Sequence, residues 1–184
     1  AHYMGIPIFG TGGCTDSHTL DGQAAAESAM SILMAAQSGA NMVHDVGYTA
    51  SGQVGSLDQL VMGDEIIGMV KRIMRGIQVD DEHLAVDVID NVGPGGHFLG
   101  EDHTVKHFKD ETWFPTLINR MRYDGWKTQA NSSTMGERIK EKVHDIVENH
   151  EVKPLSDEVK AKIDEIIEKA EEREANRDKD KKNK

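Results

Sequence analysis

The chain has 184 residues, a formal net charge of −11 and a single cysteine, Cys14. Because so acidic a chain offers no basic face to a phosphate backbone, we expect no nucleic-acid partner. A single cysteine allows no intrachain disulfide, and the sequence has neither an apolar run of about 18 residues nor a signal pattern. We therefore expect a cytoplasmic protein without a membrane segment.

The first predicted elements are a strand, a helix and a second strand. The apolar residues 6–9 predict a buried strand of a parallel sheet. Asp21 is expected to cap the following helix, which Gly39 ends. Residues 41–46 predict the second strand. Because crossovers of this kind are right-handed, the loops after both strands are expected at the same face of the sheet.

A second crossover helix is predicted after a loop over residues 48–55. Ser56 and Gln59 have the spacing of a capping box, which marks the start of a helix. The apolar stripe of this helix is predicted to contain Leu60, Ile67 and Met74. Strand and helix then alternate twice, as is typical of α/β proteins.

Helices are predicted for the rest of the chain. One begins near residue 80 and ends at the glycine-rich breaker that starts at Gly93. A second capping box begins at Thr134, and residues 131–170 are predicted to form a helical extension. Residues 171–184 carry charge with almost no apolar side chains, so this tail is predicted to be disordered.

Three polar segments occur in an order typical of one family. They read GTGGCTDSHTLDGQ at residues 10–23, NMVHDVGYTASG at 41–52 and DVIDNVGPGGHFLGEDHTVKHF at 87–108. Over residues 5–126 the chain resembles the C-terminal part of the trimethylamine:corrinoid methyltransferase family. The resemblance implies an α/β fold in which residues 1–130 are the C-terminal part of a TIM (β/α)8 barrel, with extra C-terminal helices.

The resemblance also implies an activity and partners. Members transfer a methyl group from a small methylated amine, trimethylamine or glycine betaine, to the Co(I) of a cognate corrinoid protein, as in methanogenesis. The corrinoid (cobalamin) is carried by that partner and not bound covalently in this chain. The acidic balance of the chain is compatible with a cationic substrate.

The length suggests a part of a larger enzyme. A TIM barrel typically needs about 250 residues, so we interpret the 184 residues as a fragment that lacks the N-terminal half. An upstream reading frame that ends in an amber codon, read as pyrrolysine in this family, is one origin. We expect the fragment alone to be inactive and the full-length enzyme to be a homo-oligomer. The alternative is a non-catalytic partial barrel or an assembly module that binds a partner through its C-terminal helices.

The candidate catalytic residues are Asp16 and Tyr48, which follow the two predicted strands. We predict that Asp16 supplies negative potential or a hydrogen bond and that Tyr48 supplies an aromatic face or a hydroxyl. Ser17, His18 and His44 are predicted to face the substrate or the corrinoid. The alternatives are a helix cap for Asp16 or Ser17, a core histidine for His44 and a packing aromatic for Tyr48.

Other chemistries are weaker interpretations of the same segments. The glycine-rich turn lacks the P-loop lysine and the GxGxxG spacing, and adjacent Asp16, Ser17 and His18 cannot form a hydrolase triad. Gly12 and Gly13 are expected to let the backbone approach a ligand.

A glycine-rich loop over residues 93–103 is the third candidate segment. The resemblance implies that it lies near the corrinoid-binding face, with these residues facing the cofactor: Gly95, Gly96, His97 and His103. A purely structural turn is the alternative. His97, His103 and His107 also suggest metal ligands, but no HxxxH or HExxH pair is predicted on a helix. We therefore predict no metal site.

Overall fold

A computed structural model describes residues 1–182 of the chain. A 3-10 turn at His2–Met4 precedes four short strands and eight helices. The elements are β1 (Phe9–Thr11), α1 (Gly22–Gln37), β2 (Met42–His44), β3 (Tyr48–Thr49), β4 (Val54–Gly55), α2 (Leu57–Arg75), α3 (Asp81–Leu84), α4 (Val86–Val92), α5 (Asp102–Glu111), α6 (Tyr123–Thr128), α7 (Met135–Asn149) and α8 (Asp157–Lys182). They divide into two compact units, the first being Ala1–Glu148 and the second beginning at Asn149.

A βαβ unit begins the first compact unit, as the sequence predicts. β1 and β2 pair in parallel, with Phe9 opposite Met42 and Thr11 opposite His44, and α1 connects them. Because parallel strands point the same way, the loops that follow β1 and β2 leave the same edge of the sheet. The first strand lies later than the predicted residues 6–9, and Phe9 is 60% exposed. The predicted burial of this strand is therefore wrong. The sheet has only two strands, and the Phe9 side chain lies on an exposed face of it.

The segment predicted as a loop after β2 is a hairpin. β3 and β4 pair antiparallel, and the turn between them places Ala50 and Ser51 at positive φ, 51° and 55°. Backbone hydrogen bonds then join the hairpin to the loop after β1, from Thr15 N–H to Tyr48 O and from Ala50 N–H to Ser17 O. The turn has no Asn-Gly or Asp-Gly signal, so local sequence did not predict it.

The core lies where α1 and α2 pack together. Its buried members are Ala24, Ile32, Met62, Ile66, Val70, Leu117 and Ile139. The side of α2 that faces the core is the i, i+4, i+8 row through Met62, whereas Leu60 and Met74 of the predicted stripe are each 46% exposed. Sequence spacing identified the helix correctly, but of the predicted stripe only Ile67 packs against the core.

Two predicted boundaries also change. The helix predicted from about residue 80 is broken at Ala85, whose backbone is left-handed with φ 50°, so α3 and α4 replace it. In α7, the predicted capping box is present, since the Glu137 carboxylate accepts from both the N–H and the hydroxyl of Thr134. Ile139 of α7 is 1% exposed, so the first compact unit continues past residue 130, the predicted boundary.

Helix α8 extends into the tail predicted to be disordered. It continues to Lys182, and residues 183–184 lie outside the described part of the chain. Glu, Lys and Ala are strong helix formers, and i, i+4 ion pairs such as Lys162–Glu158 at 2.7 Å support the helix. Its side chains are exposed over residues 157–175. The polar composition correctly predicted exposed side chains, whereas the backbone is helical and not disordered as predicted.

The fold of residues 1–182 is α/β with short strands. It contains one parallel βαβ unit and one hairpin, and no closed barrel within the described residues. None of the described helices combines the length and the apolar character needed to cross a bilayer.

Candidate functional site

A cavity of about 380 Å³ lies beside the loops that follow β1 and β2. It is lined by Cys14, Asp16, Asp45, Tyr48, Ser51 and Gly52. The structure therefore brings together Asp16 and Tyr48, the two predicted catalytic residues, although they are far apart in sequence. The carboxyl ends of parallel strands are where α/β enzymes place their sites.

The glycines of the loop after β1 serve packing. A Cβ on Gly12 would lie 3.1 Å from Ser31 O, and one on Gly13 would lie 2.9 Å from Val46 Cγ2. Gly13 also has φ 86°, and its N–H donates to Ser31 Oγ at 3.0 Å. The prediction that these glycines let the backbone approach a ligand is corrected here. They are buried, and they let the loop lie directly on α1.

Glu27 of α1 fixes the backbone at Asp16. Its Oε2 accepts from the hydroxyl of Thr15 at 2.6 Å and from the N–H of Asp16 at 2.9 Å. The side chain of Gln23 also donates to Glu27, to Oε1 at 2.8 Å. The hydrogen bonds from Thr15, Gln23 and Asp16, in that order of importance, lower the pKa of Glu27. The ionised carboxylate thus holds the loop and adds negative potential beside Asp16, whose own side chain is exposed.

Asp45 also lines the cavity; its place at the second strand beside His44 and Tyr48 made it a candidate from sequence, but no site role was predicted for it. It is the first residue after β2, and its backbone is left-handed with φ 74°, a strained conformation for a non-glycine residue. His44 Nδ1 lies 2.8 Å from Asp45 Oδ1, and the His44 ring stacks on Phe9 with centroids 4.4 Å apart. His44 is therefore placed to orient Asp45 rather than to line the cavity. The position of Asp45 directly after a strand was the available signal.

Tyr48 begins the hairpin and exposes 43% of its surface. Its carbonyl accepts from Thr15 N–H at 3.1 Å, which ties the position of the residue to the opposite loop. Three of the six non-glycine residues with positive φ in the described chain lie in this region, Asp45, Ala50 and Ser51. Such strain collects at functional sites. Two carboxylates beside an accessible aromatic ring suit a methylated cation.

Ser17 and His18 do not line this cavity. The Ser17 hydroxyl is buried, 2.9 Å from Thr19 O and 3.1 Å from Asp21 Oδ1. Asp21 caps α1 by accepting from Ala24 N–H at 3.0 Å, and this bond is the main reason that its pKa is lowered. Ser17 thus supports the helix cap, the alternative named for it from sequence. His18 is exposed.

The glycine-rich loop is separate from the cavity. Gly95, Gly96 and His97 are exposed in the connection between α4 and α5. A Cβ on Gly96 would lie 2.5 Å from Val92 O, so that glycine serves a tight turn. His103 lies on α5 and lines a different cavity, of about 490 Å³, against α3 and α4. A corrinoid-facing role for these four residues stays a prediction.

Sequence reasoning missed a cluster of metal-ligand side chains. His103 and His107 are one turn apart on α5, so the prediction that no HxxxH pair lies on a helix was wrong. With Glu82 of α3, they offer three ligand atoms within 4.8 Å of one another. The cluster was missed because the glycines before residue 102 indicated a loop that continues through His103.

The sequence profile of the trimethylamine methyltransferase (MTTB) family matches residues 1–175. A glycine betaine methyltransferase of Desulfitobacterium hafniense (strain Y51) is 37% identical over 168 residues, which cover 91% of this chain and 35% of the relative. Trimethylamine methyltransferase MttB of Methanosarcina barkeri (strain Fusaro) is 35% identical over 170 residues, 92% of this chain and 34% of the relative. MttB of Methanosarcina thermophila is 36% identical over 159 residues, 86% and 32%. The chain thus spans about a third of the length of these curated relatives.

Proposed function

The chain belongs to the trimethylamine methyltransferase (MTTB) family, and we propose that it forms the C-terminal part of an enzyme that demethylates trimethylamine or a related methylated or quaternary amine such as glycine betaine. We propose the Co(I) of a partner corrinoid protein as the methyl acceptor. The observation that carries the proposal is the cavity shared by Asp16, Asp45 and Tyr48.

This cavity suits a methylated ammonium group. The two carboxylates supply negative potential, and the Tyr48 ring supplies a π face of the kind that binds quaternary ammonium ligands. The nucleophile in this transfer is the reduced cobalt that the partner carries, so the chain itself needs none. Its residues bind the amine, orient one N–CH₃ bond and keep water away.

The charge change during the reaction assigns roles to the residues. The methylated nitrogen is cationic in both substrates, because it is quaternary in glycine betaine and protonated in trimethylamine. As its N–C bond breaks, nitrogen keeps the electron pair and loses the positive charge. Asp16 and Asp45 therefore interact more strongly with the substrate than with the amine product, which favours substrate capture and product release. Tyr48 contributes mainly to orientation. Loss of a carboxylate is expected to act chiefly on KM, and loss of the tyrosine hydroxyl chiefly on kcat.

For the whole enzyme we propose a TIM barrel to which β1–α1–β2–α2 contributes two βα units. Two observations support it: the strands are parallel, and the cavity lies where barrel enzymes keep their sites. We also propose that the glycine-rich loop faces the corrinoid. A Cβ on Gly95 or Gly100 would meet nothing within 4 Å, so a large cofactor can reach the backbone there. Both glycines thus leave an open backbone surface.

The test uses a complete enzyme that contains this chain. We expect Asp16→Asn, Asp45→Asn and Tyr48→Phe each to lower kcat/KM for corrinoid methylation by about tenfold or more, which corresponds to about 1.4 kcal/mol. Asp90→Asn, on the exposed surface of α4, is the matched control and should have the parental rate. Parental rates for all three cavity variants would refute the site.

An assembly role for α8 is the second candidate function. Val159, Ile163 and Ile166 have i, i+4, i+7 spacing and expose 41%, 41% and 68% of their surface, so they form an apolar stripe available to a partner helix. Ile163→Asp should then lower the oligomeric state seen by sedimentation velocity. An Ala161→Asp control, at a position outside the stripe, should not. Identical sedimentation of all three proteins would exclude this role.

A further inference from the structure

Helices α3 and α5 bring two imidazoles and a carboxylate together outside the candidate active site. His103 and His107 are separated by one turn of α5 and therefore share a face of it. Glu82 of α3 meets that face, with His107 Nε2 2.9 Å from Glu82 Oε1 and His103 Nε2 2.8 Å from the Glu82 carbonyl oxygen. One ligand atom from each of the three side chains lies within 4.8 Å of the other two.

We propose that Glu82, His103 and His107 form a binding site for a divalent transition-metal ion, with Zn²⁺ as the preferred occupant. Two imidazole nitrogens and one carboxylate oxygen are a zinc donor set, and the fourth position is left to water. Bonds of about 2.0–2.2 Å place tetrahedral ligand atoms about 3.3 Å apart. The Glu82 side chain is 49% exposed, so it has room to move toward the two imidazoles.

The donors exclude the hard cations. Ca²⁺ takes six to eight oxygen ligands and Mg²⁺ takes octahedral oxygen ligands, whereas imidazole suits Zn²⁺, Cu²⁺ and Ni²⁺. A third imidazole lies beside the cluster, since the ring of His83 is 5.1 Å from that of His107. Its Nδ1 is 2.6 Å from Asp80 Oδ1, so Asp80 already engages this ring and we do not count His83 among the ligands.

Lys106 competes with the metal for Glu82. Its Nζ lies 2.6 Å from Glu82 Oε1, the oxygen that also meets His107. Because the lysine and the glutamate are 66% and 49% exposed, breaking this pair costs little. An ion in place of the ammonium would join α3 to α5, the helices on either side of α4 and the glycine-rich connection. The site is independent of the proposed methyl transfer.

The test is a Zn²⁺ titration of the 184-residue chain against a chromophoric chelator. We expect one zinc site, and loss of affinity in His103→Gln/His107→Gln beyond the about 10- to 100-fold that follows loss of an outer-shell partner. Co²⁺ should give the visible absorption of a tetrahedral site in the parent and not in the double variant. His144→Gln, which removes an exposed histidine of α7, should bind like the parent.

A second variant separates ligation from folding. Lys106→Met keeps all three ligands and removes a competing cation, so zinc should bind several-fold more tightly. Equal zinc affinity of the parent and the double histidine variant would overturn the proposal, as would an equal loss in His144→Gln. Weaker or unchanged binding by Lys106→Met would overturn Glu82 as a ligand.

Discussion

Glu65 of α2 holds the segment before α6 through hydrogen bonds to its backbone. Substitution of Glu65 therefore tests how much these bonds stabilise the fold. Its side chain is buried, and Oε1 accepts from the backbone N–H groups of Thr116, Leu117 and Ile118 at 3.0, 2.8 and 2.9 Å. The hydroxyl of Thr116 donates to Oε2 at 2.6 Å. Burial raises the pKa of Glu65, but these hydrogen bonds outweigh it, and the pKa is lowered.

Glu65→Gln keeps the shape and removes the charge. A hydrogen bond to a charged group contributes about 1.5–3 kcal/mol and a neutral one about 0.5–1.5 kcal/mol, so each of the three backbone bonds loses about 1 kcal/mol. We therefore expect the free energy of unfolding to fall by about 3 kcal/mol. The matched control is Glu141→Gln on the exposed surface of α7, which should change it by less than about 0.5 kcal/mol.

Urea unfolding of the three proteins measures these differences. The folded-state pKa of Glu65 lies below its ordinary value of 4.5, so its stabilisation is complete above that pH and is lost as pH falls through the folded-state pKa. The gap between the parent and Glu65→Gln should thus be constant near neutral pH and narrow in acid. A change under about 0.5 kcal/mol at pH 7, or a gap that persists unchanged at pH 3, would show that the charge of Glu65 does not stabilise this segment.

Three further predictions concern the loop, the helix cap and the tail. Gly13→Ala places a methyl group at a position with φ 86° and 2.9 Å from Val46 Cγ2, so the free energy of unfolding, measured by thermal unfolding, should fall by more than about 1 kcal/mol. The control Gly22→Ala, whose methyl group would meet nothing within 4 Å, should not lower it. Asp21→Ala removes the α1 cap and should cost about 0.5–2 kcal/mol by urea unfolding; an unchanged midpoint would contradict it. Truncation after Glu172 removes a charged end and should leave corrinoid methylation by the complete enzyme intact; a large loss would make this tail a docking element.

Helix starts were predictable because their signals are local. Asp21 caps α1 through Ala24 N–H, three residues on, and Ser56 caps α2 through Gln59 N–H at the same spacing. A hydrogen bond between residues three apart depends on almost nothing outside the segment. The juxtaposition of Asp16 and Tyr48 was also predictable, because parallel pairing sends both loops to one edge.

The parts that failed depend on distant partners. Which face of α2 is buried depends on how it packs against α1, so that Met62 is buried in the core whereas Leu60 is 46% exposed. The hairpin after β2 is held by bonds to Ser17 and Thr15, which override the absence of a turn signal. The spacing of apolar residues predicts that one side of a helix is buried. Which of two apolar rows is buried depends on the element that packs against the helix.

The family, the βαβ start and a pair of residues that share a cavity were thus all predictable from the order of the residues. The tertiary structure was needed to choose Asp45 over His44 as a cavity residue and to assemble the cluster of Glu82, His103 and His107. The physical reason is the break at Ala85, where a left-handed residue ends α3 within a segment whose pattern indicates one continuous helix. A metal-ligand set drawn from two helices depends on how these helices meet, and residue spacing along a single segment does not contain that information.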